Sequence, residues 1–203
     1  MAASTRNQSK AVDAFRRAGG VLRASQAFDA GIHPRDLYAL RDSGILTPVS
    51  RGVYRLSDLP PLHEPDLTTV AARVPKAVFC LISALHFHGL TPEIPHVVSI
   101  ALLRGAATPK LAWPPVAVYR LSRPMFEAGV ETHERDGIHL RVYSPAKTIA
   151  DCFKFRNRLG LDVALEALRS GLSERKVKPA ELMHFARICR VDKVMRPFLE
   201  ALV

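Results

Sequence analysis

The sequence predicts an α+β protein in two parts, and three observations predict it. Residues 31–54, GIHPRDLYALRDSGILTPVSRGVY, read as a short helix followed by a hairpin with a basic tip. Residues 59–65, LPPLHEP, place three prolines where neither a helix nor a central strand accommodates them, so the chain breaks there. Beyond the break come three β-prone runs, HVVSIALL, VAVYRL and IHLRVY, and then helical periodicity to the end. The expected domains are residues 1–59, a winged helix-turn-helix, and residues 66–203, an α+β domain with a small β-sheet and C-terminal helices.

In the first part, Ser9 suits the cap of a helix with Val12 and Phe15 on its apolar face and Gly19-Gly20 at its end. Val21 and Leu22 form a short extended piece. Ser25 caps a second helix, residues 26–30, which Gly31 ends. A tight turn leads to His33 and Pro34. Proline opens a helix well, because the N–H it lacks would be unpaired there anyway and its φ is already helical. The third helix runs from Arg35 to about Ser43 and stops at Gly44, a residue suited to a C-cap. Leu37 and Leu40 share its inner face, while Arg35, Tyr38, Ala39 and Asp42 fall on the other. Residues 45–49 and 53–56 flank Ser50-Arg51-Gly52, a turn in which glycine supplies positive φ. Helix, short strand, helix, turn, helix and hairpin make a winged helix-turn-helix, whose third helix enters the major groove and whose hairpin is the wing.

In the second part, Asp66 caps a helix over residues 67–74 that Pro75 ends. Residues 77–90, AVFCLISALHFHGL, read as one buried helix closed by Gly89. Residues 96–103 and 116–121 are core strands, and residues 138–143 alternate as a half-buried third. Residues 104–115 form a loop anchored by Trp113, and residues 129–137 form a polar turn region. Ser144-Pro145 supplies the cap and first position of a helix with Ile149, Ala150 and Phe153 inward and Lys147, Lys154, Arg156 and Arg158 outward. Gly160 separates it from a helix over residues 161–170. Lys178-Pro179-Ala180 starts another, and Asp192 caps the last.

At 48% hydrophobic and 24% charged, the 203 residues suffice for a packed core, which excludes global disorder. The net charge is +10. Lys and Arg exceed Asp and Glu in residues 1–60 and 144–203 and nearly balance them between. Such a balance favours a polyanionic partner, nucleic acid first. Cys80, Cys152 and Cys189 are odd in number and far apart, with no C-x-x-C, so neither a disulfide framework nor a zinc ribbon is indicated. They are expected as small core residues in a reducing compartment. The opening MAASTRNQSK lacks the apolar core of a signal peptide, and no run approaches a membrane span. A cytoplasmic protein without membrane association is expected.

Catalytic patterns are absent: there is no G-x-S-x-G, Walker loop, H-E-x-x-H or G-x-G-x-x-G. His86 and His88, two residues apart on a helix, diverge by about 200° and so read as packing or surface residues. Glu127, Glu131, Glu134 and Asp136 cluster, but without the lysine that a metal nuclease often places two residues after an acid. No catalytic residue, cofactor or metal is therefore assigned, and no enzymatic activity is expected.

The DNA-binding candidates are better placed. Arg35 lies on the first turn of the third helix, and a bidentate arginine–guanine pair is worth about 1–3 kcal/mol of discrimination. His33 opens the same helix. Tyr38 offers its hydroxyl to a phosphate and its ring to a thymine methyl, or else packs against the wing. Arg41 meets phosphate or lies over Leu37. Ser25 and Gln26, at a helix start with free N–H groups, suit a phosphate. Arg51 at the wing tip suits the backbone or the minor groove. Arg23, Arg55, Lys154, Arg156 and Arg158 are backbone contacts or solvated charges.

Taken together, GGVLRASQAFDAGIHPRDLYALRDSGILTPVSRGVYRL resembles the N-terminal winged-helix domain of AbiEi-type antitoxins, the antitoxins of type IV abortive-infection (phage-defence) toxin–antitoxin systems. LISALHFHGLTPEIPHVVSIAL and SPAKTIADCFKFRNRLGLDVALEALR resemble the C-terminal half of the same family, so the resemblance spans roughly residues 9–172. It implies a transcriptional autorepressor that binds double-stranded DNA at inverted repeats upstream of its own operon and self-associates there. It implies a functional partner, a nucleotidyltransferase-like toxin, counteracted without a stable complex. Within the family the winged helix binds DNA, and the C-terminal domain supports antitoxicity and cooperative binding. The final 30 residues carry no resemblance. Two other readings stay open: a nuclease targeted by its winged helix, and a stand-alone regulator or interaction scaffold without a toxin.

Overall fold

The computed structural model describes residues 2–202, with side chains from Asn7 onward. The chain divides into two compact units, Met1–Pro75 with Glu134–Leu140, and Lys76–His133 with Arg141–Val203.

In the first unit, α1 (Ala2–Arg17) precedes β1 (Val21–Arg23), α2 (Ala24–Asp29), α3 (Pro34–Asp42), β2 (Leu46–Ser50), β3 (Val53–Leu56) and α4 (Pro65–Arg73). The strands form one antiparallel sheet in the order β1-β3-β2. One sheet face carries Leu22, Tyr54, Leu56 and Leu46 into a core with Phe15, Ala27, Ile32, Leu37 and Leu40. The other face carries Val21 and Val53, which pack with Ala72 of α4 and with Ile138. The two-residue alternation of strands separates these sets. Helix α1 starts at Ala2, so Ser9 lies inside it rather than at its cap; Ala, Gln, Arg and Lys tolerate helix well enough to extend it. Helix α4 starts at Pro65 with Glu64 before it, so Asp66 sits in the first turn instead of capping.

Residues 134–140 complete this unit. The Asp136 carboxylate accepts from the His63 N–H (3.1 Å) and the Thr68 hydroxyl (3.4 Å). Gly19 and Gly137 approach so closely that a Cβ on Gly19 would stand 2.5 Å from the Gly137 Cα. Both have positive φ, 76° and 73°, and neither position has room for a side chain.

The second unit contains β4 (Val78–Phe79), α5 (Leu81–Phe87), β5 (Val98–Leu103), β6 (Val116–Leu121), α6 (Arg123–Glu127), β7 (Val130–Arg135), β8 (Ile138–Tyr143), α7 (Pro145–Lys154), α8 (Arg156–Leu159), α9 (Leu161–Ser173), α10 (Pro179–Cys189) and α11 (Asp192–Glu200), apart from the hairpin end that groups with the first unit. The five-stranded sheet runs β6-β5-β4-β8-β7, with β5 parallel to β6 and β4 parallel to β8. The core gathers Val78, Leu85, Ala101, Tyr143, Ile149, Phe153, Leu168, Leu182 and Met195.

Five expectations change here. Residues 77–90 are a short strand and a helix, turned by Leu81, which takes φ of 50°. Residues 129–137 hold strand β7, whose return is made by Asp136 and Gly137, both at positive φ as a type I′ hairpin turn requires. Trp113 is 68% exposed, so it is not a buried anchor for residues 104–115. Lys147, expected outward, is fully buried, because α7 is packed against α5, α9, α10 and α11 and every residue from Ala146 to Phe153 lies inside. Its ammonium meets the Asp151 carboxylate one turn on at 2.5 Å, lies 4.0 Å from the centre of the Tyr143 ring, and Asp151 also accepts from the Cys189 thiol (3.2 Å). Cys80, Cys152 and Cys189 are buried free thiols, which burial pushes up in pKa. At the end of the chain, Asp192 is the first residue of α11, and Val191 holds the cap position. Among the described residues no helix is long and apolar enough to cross a membrane.

Candidate nucleic-acid interface

The candidate surface belongs to the first unit and is built on α2, α3 and the β2–β3 hairpin. Helix α2 begins two residues earlier than the sequence indicates. Arg23 takes the cap position and its N–H donates to Gln26 Oε1 (3.0 Å), so Ser25 is the second helical residue rather than the cap. Ser25 and Gln26 are both exposed, and the oxygen of Gln26 is already committed to closing the helix start.

The chain then turns at Gly31, φ 84°, and enters α3 through His33, whose Nδ1 accepts from the Arg35 N–H (3.2 Å). This cap and Pro34 at the first helical position fix where the helix begins. Leu37 and Leu40, three residues apart, are fully buried and fix which face turns in. His33, Arg35, Tyr38 and Arg41 are therefore exposed, with Tyr38 at 42%. The Arg35 guanidinium has no hydrogen-bond or ion-pair partner among the described residues. Arg41 is engaged. It bonds Asp42 through Nε at 2.8 Å, which raises its pKa, and its guanidinium carbon stands 5.0 Å from the Tyr38 ring centre. Arg41 and Tyr38 thus form one joint surface rather than two independent contacts.

The wing turns at Arg51 and Gly52, the latter at φ 73°. Its register shifts between Pro48 and Ser50, an irregularity that bends the hairpin near its tip. The Arg51 side chain is exposed, whereas its carbonyl accepts from the Arg73 guanidinium of α4. Arg55 is half-buried and donates to the Pro60 carbonyl, which ties it to the segment after the sheet. Arg23 donates to the Ala71 carbonyl (3.4 Å); burial, then the nearby Arg73 charge, lowers its pKa. A groove of about 490 Å³ runs between α1 and the α2–α3 turn, lined by Lys10, Asp13, Arg17, His33 and Asp36 among others.

Nine of the twelve residues singled out from the sequence, Arg23, Ser25, Gln26, His33, Arg35, Tyr38, Arg41, Arg51 and Arg55, thus lie in the first unit. Lys154, Arg156 and Arg158 belong to the second. Lys154 is exposed at the end of α7, Arg156 donates to the Phe153 carbonyl (2.9 Å), and Arg158 lies 4.7 Å over the Tyr119 ring. Sequence reasoning missed Arg73, which sits in a helix outside the winged-helix pattern and becomes part of the surface only through its bond to the wing.

Three of the four clustered acidic residues are occupied elsewhere. Glu127 pairs with Arg123 (3.0 Å), Glu131 with His133 (3.1 Å), and Asp136 with the His63 and Thr68 groups already described. Among the described residues no group of three or more His, Cys, Asp or Glu is arranged to hold a metal ion.

Comparison with known proteins places the match on this same surface. A family model described as "Transcriptional regulator, AbiEi antitoxin" matches residues 9–57. No curated protein matches the chain. Among solved structures, the crystal structure of the RV2827C protein from Mycobacterium tuberculosis is similar with a TM-score of 0.48 at 15% identity, over 90% of this chain and 81% of that one.

Proposed function

We propose, from the premise that residues 9–57 belong to the AbiEi antitoxin family of transcriptional regulators, that this DNA-binding regulator reads its operator with α3 and holds the flanking backbone with the β2–β3 wing. The observation that carries the reading is Arg35. It stands on the first turn of α3, exposed and without a hydrogen-bond or ion-pair partner among the described residues, on a helix whose opposite face is locked into the core by Leu37 and Leu40. An unpaired arginine on a rigid helix is pre-organised for the N7 and O6 edge of a guanine. Tyr38 and Arg41 continue the same face, Arg51 projects from the wing, and Ser25 with Gln26 lies at the helix start that precedes α3.

In this reading the chain is a non-enzymatic, cytoplasmic repressor of its own operon that binds inverted repeats as associated copies. It serves as a phage-defence antitoxin against a nucleotidyltransferase-like toxin that it counteracts without a stable complex. Fluorescence anisotropy with the duplex upstream of its own gene and with a scrambled duplex tests the DNA half. The intact protein is expected to prefer the upstream duplex, and Arg35→Ala to lose that preference while unfolding at the same temperature. If Arg35→Ala keeps the full preference, α3 is not the reading element. Co-expression with a neighbouring nucleotidyltransferase-like gene tests the antitoxin half, with rescue of growth expected and continued growth arrest counting against it.

A further inference from the structure

Two guanidiniums close enough to repel each other stand beside the wing, and no acid pairs with either among the described residues. Arg23 ends β1 and pairs across the ladder with Val53, next to the wing tip. It shares a sheet face with Val21, Val53 and Arg55, the face on which Ala72 of α4 packs. Its guanidinium donates to the Ala71 carbonyl, and the Arg73 guanidinium, two residues further along α4, donates to the Arg51 carbonyl. Both residues are half-buried, and neither has a carboxylate partner among the described residues. Each guanidinium carries five N–H donors, and a backbone carbonyl occupies only a fraction of them. Two like charges, partly stripped of water and held by neutral carbonyls, repel each other until a shared anion neutralises them. The depressed pKa of Arg23, caused by burial and then by Arg73, reflects the same unrelieved crowding.

We propose that Arg23 and Arg73 together clamp one phosphate of the DNA backbone beside the wing, while the Arg73 bond to the Arg51 carbonyl aims the wing tip at the same strand. The proposal rests on the DNA-binding reading above. It extends the interface to α4, beyond the residues 9–57 that match the family model. Base recognition stays with α3, so the clamp contributes affinity without sequence preference.

The test is the salt dependence of binding by the full chain, measured by anisotropy on the upstream and scrambled duplexes over a series of KCl concentrations. Each phosphate contact contributes about 0.9 to the slope of log affinity against log salt. Arg73→Ala is expected to weaken both duplexes alike, by about tenfold, and to lower the slope by about 1. Arg23→Ala should do the same, and the double variant should lose no more slope than either single, since one phosphate is shared. Arg73→Lys should keep the slope. If the intact protein binds neither duplex, the DNA reading itself fails. If the intact protein binds but Arg73→Ala leaves the slope unchanged, whether or not it lowers the melting temperature, the clamp is overturned and Arg73 only braces the wing. A double variant losing about twice the slope of either single overturns the shared phosphate.

Discussion

Helices α3 and α7 open alike and end in opposite situations. Each has a capping side chain and then a proline: His33-Pro34 in the first unit, Ser144-Pro145 in the second, the Ser144 hydroxyl accepting from the Lys147 N–H at 3.4 Å. Each carries a cation in its first turn, Arg35 or Lys147. On α3 the Leu37 and Leu40 face is covered and Arg35 lies off it, exposed and without a side-chain partner among the described residues. On α7 every side is covered, so Lys147 has no solvent to reach and must be answered by Asp151. A cation left on the open side of a helix with one covered face is available to a polyanion. A cation enclosed on all sides is committed to the fold, since an unpaired buried charge is too costly to keep. The number of packing neighbours decides between the two, and it is not written in the helix itself.

The largest expected effect tests the enclosed side of this contrast. Asp151→Ala strands the Lys147 ammonium in the core and is expected to cost about 3–5 kcal/mol in urea unfolding, whereas Lys147→Met with Asp151→Leu should come close to the parent. A mild effect of Asp151→Ala alone would mean that water reaches the pair. Next in size, Arg35→Ala should lose about 1–3 kcal/mol of operator preference with no change in unfolding. A coincident loss of stability would show that the exposed cation is structural as well.

A smaller effect concerns pH. Burial, aided by the charges of His133 and Lys176 and opposed by the Tyr143 carbonyl and Glu131, holds the His88 imidazole below its ordinary 6.5. The folded state then binds fewer protons than the unfolded one below that value. The contribution of His88 to stability is therefore complete above about pH 6.5 and is lost as the pH falls. Urea midpoints taken from pH 7.5 down to 5 should decline, and His88→Gln should flatten that decline; an equal slope in the variant would assign the dependence to other groups. The smallest effect is expected at Arg41. Its partner Asp42 and the Tyr38 ring are both at the surface, so Arg41→Ala should leave the melting temperature unchanged while weakening DNA binding.

Local signals carried much of the fold. Strands β6 and β8 occupy the residues their apolar alternation indicates, and α3 begins at the proline that announces it. Strand β7, VETHER, has no apolar run, because its side chains are half-buried or exposed and it is held by pairing with β8. Its signal was nevertheless present in Asp136-Gly137, a two-residue turn between two six-residue extended stretches. The break between β4 and α5 was invisible, since nothing in AVFCLISALHFHGL announces that a leucine will take positive φ. On the candidate surface, Arg35, Tyr38 and Arg51 follow from helical spacing and turn chemistry. Arg73 does not, because its place beside the wing depends on a helix folding across the sheet.

The contact between Gly19 and Gly137 sets an order of events during synthesis. The first unit buries Ile138 against Val21, Val53 and Ala72, and its His63 and Thr68 groups wait for the Asp136 carboxylate. A ribosome that has made only the winged-helix segment has therefore released an unfinished unit. At about 5–20 residues per second, several seconds pass before residues 134–140 emerge to close it. Completion of the first unit is thereby deferred until residues 76–133 of the second have also been translated, so a transcript cut short before that point yields a first unit without Asp136, Gly137 and Ile138.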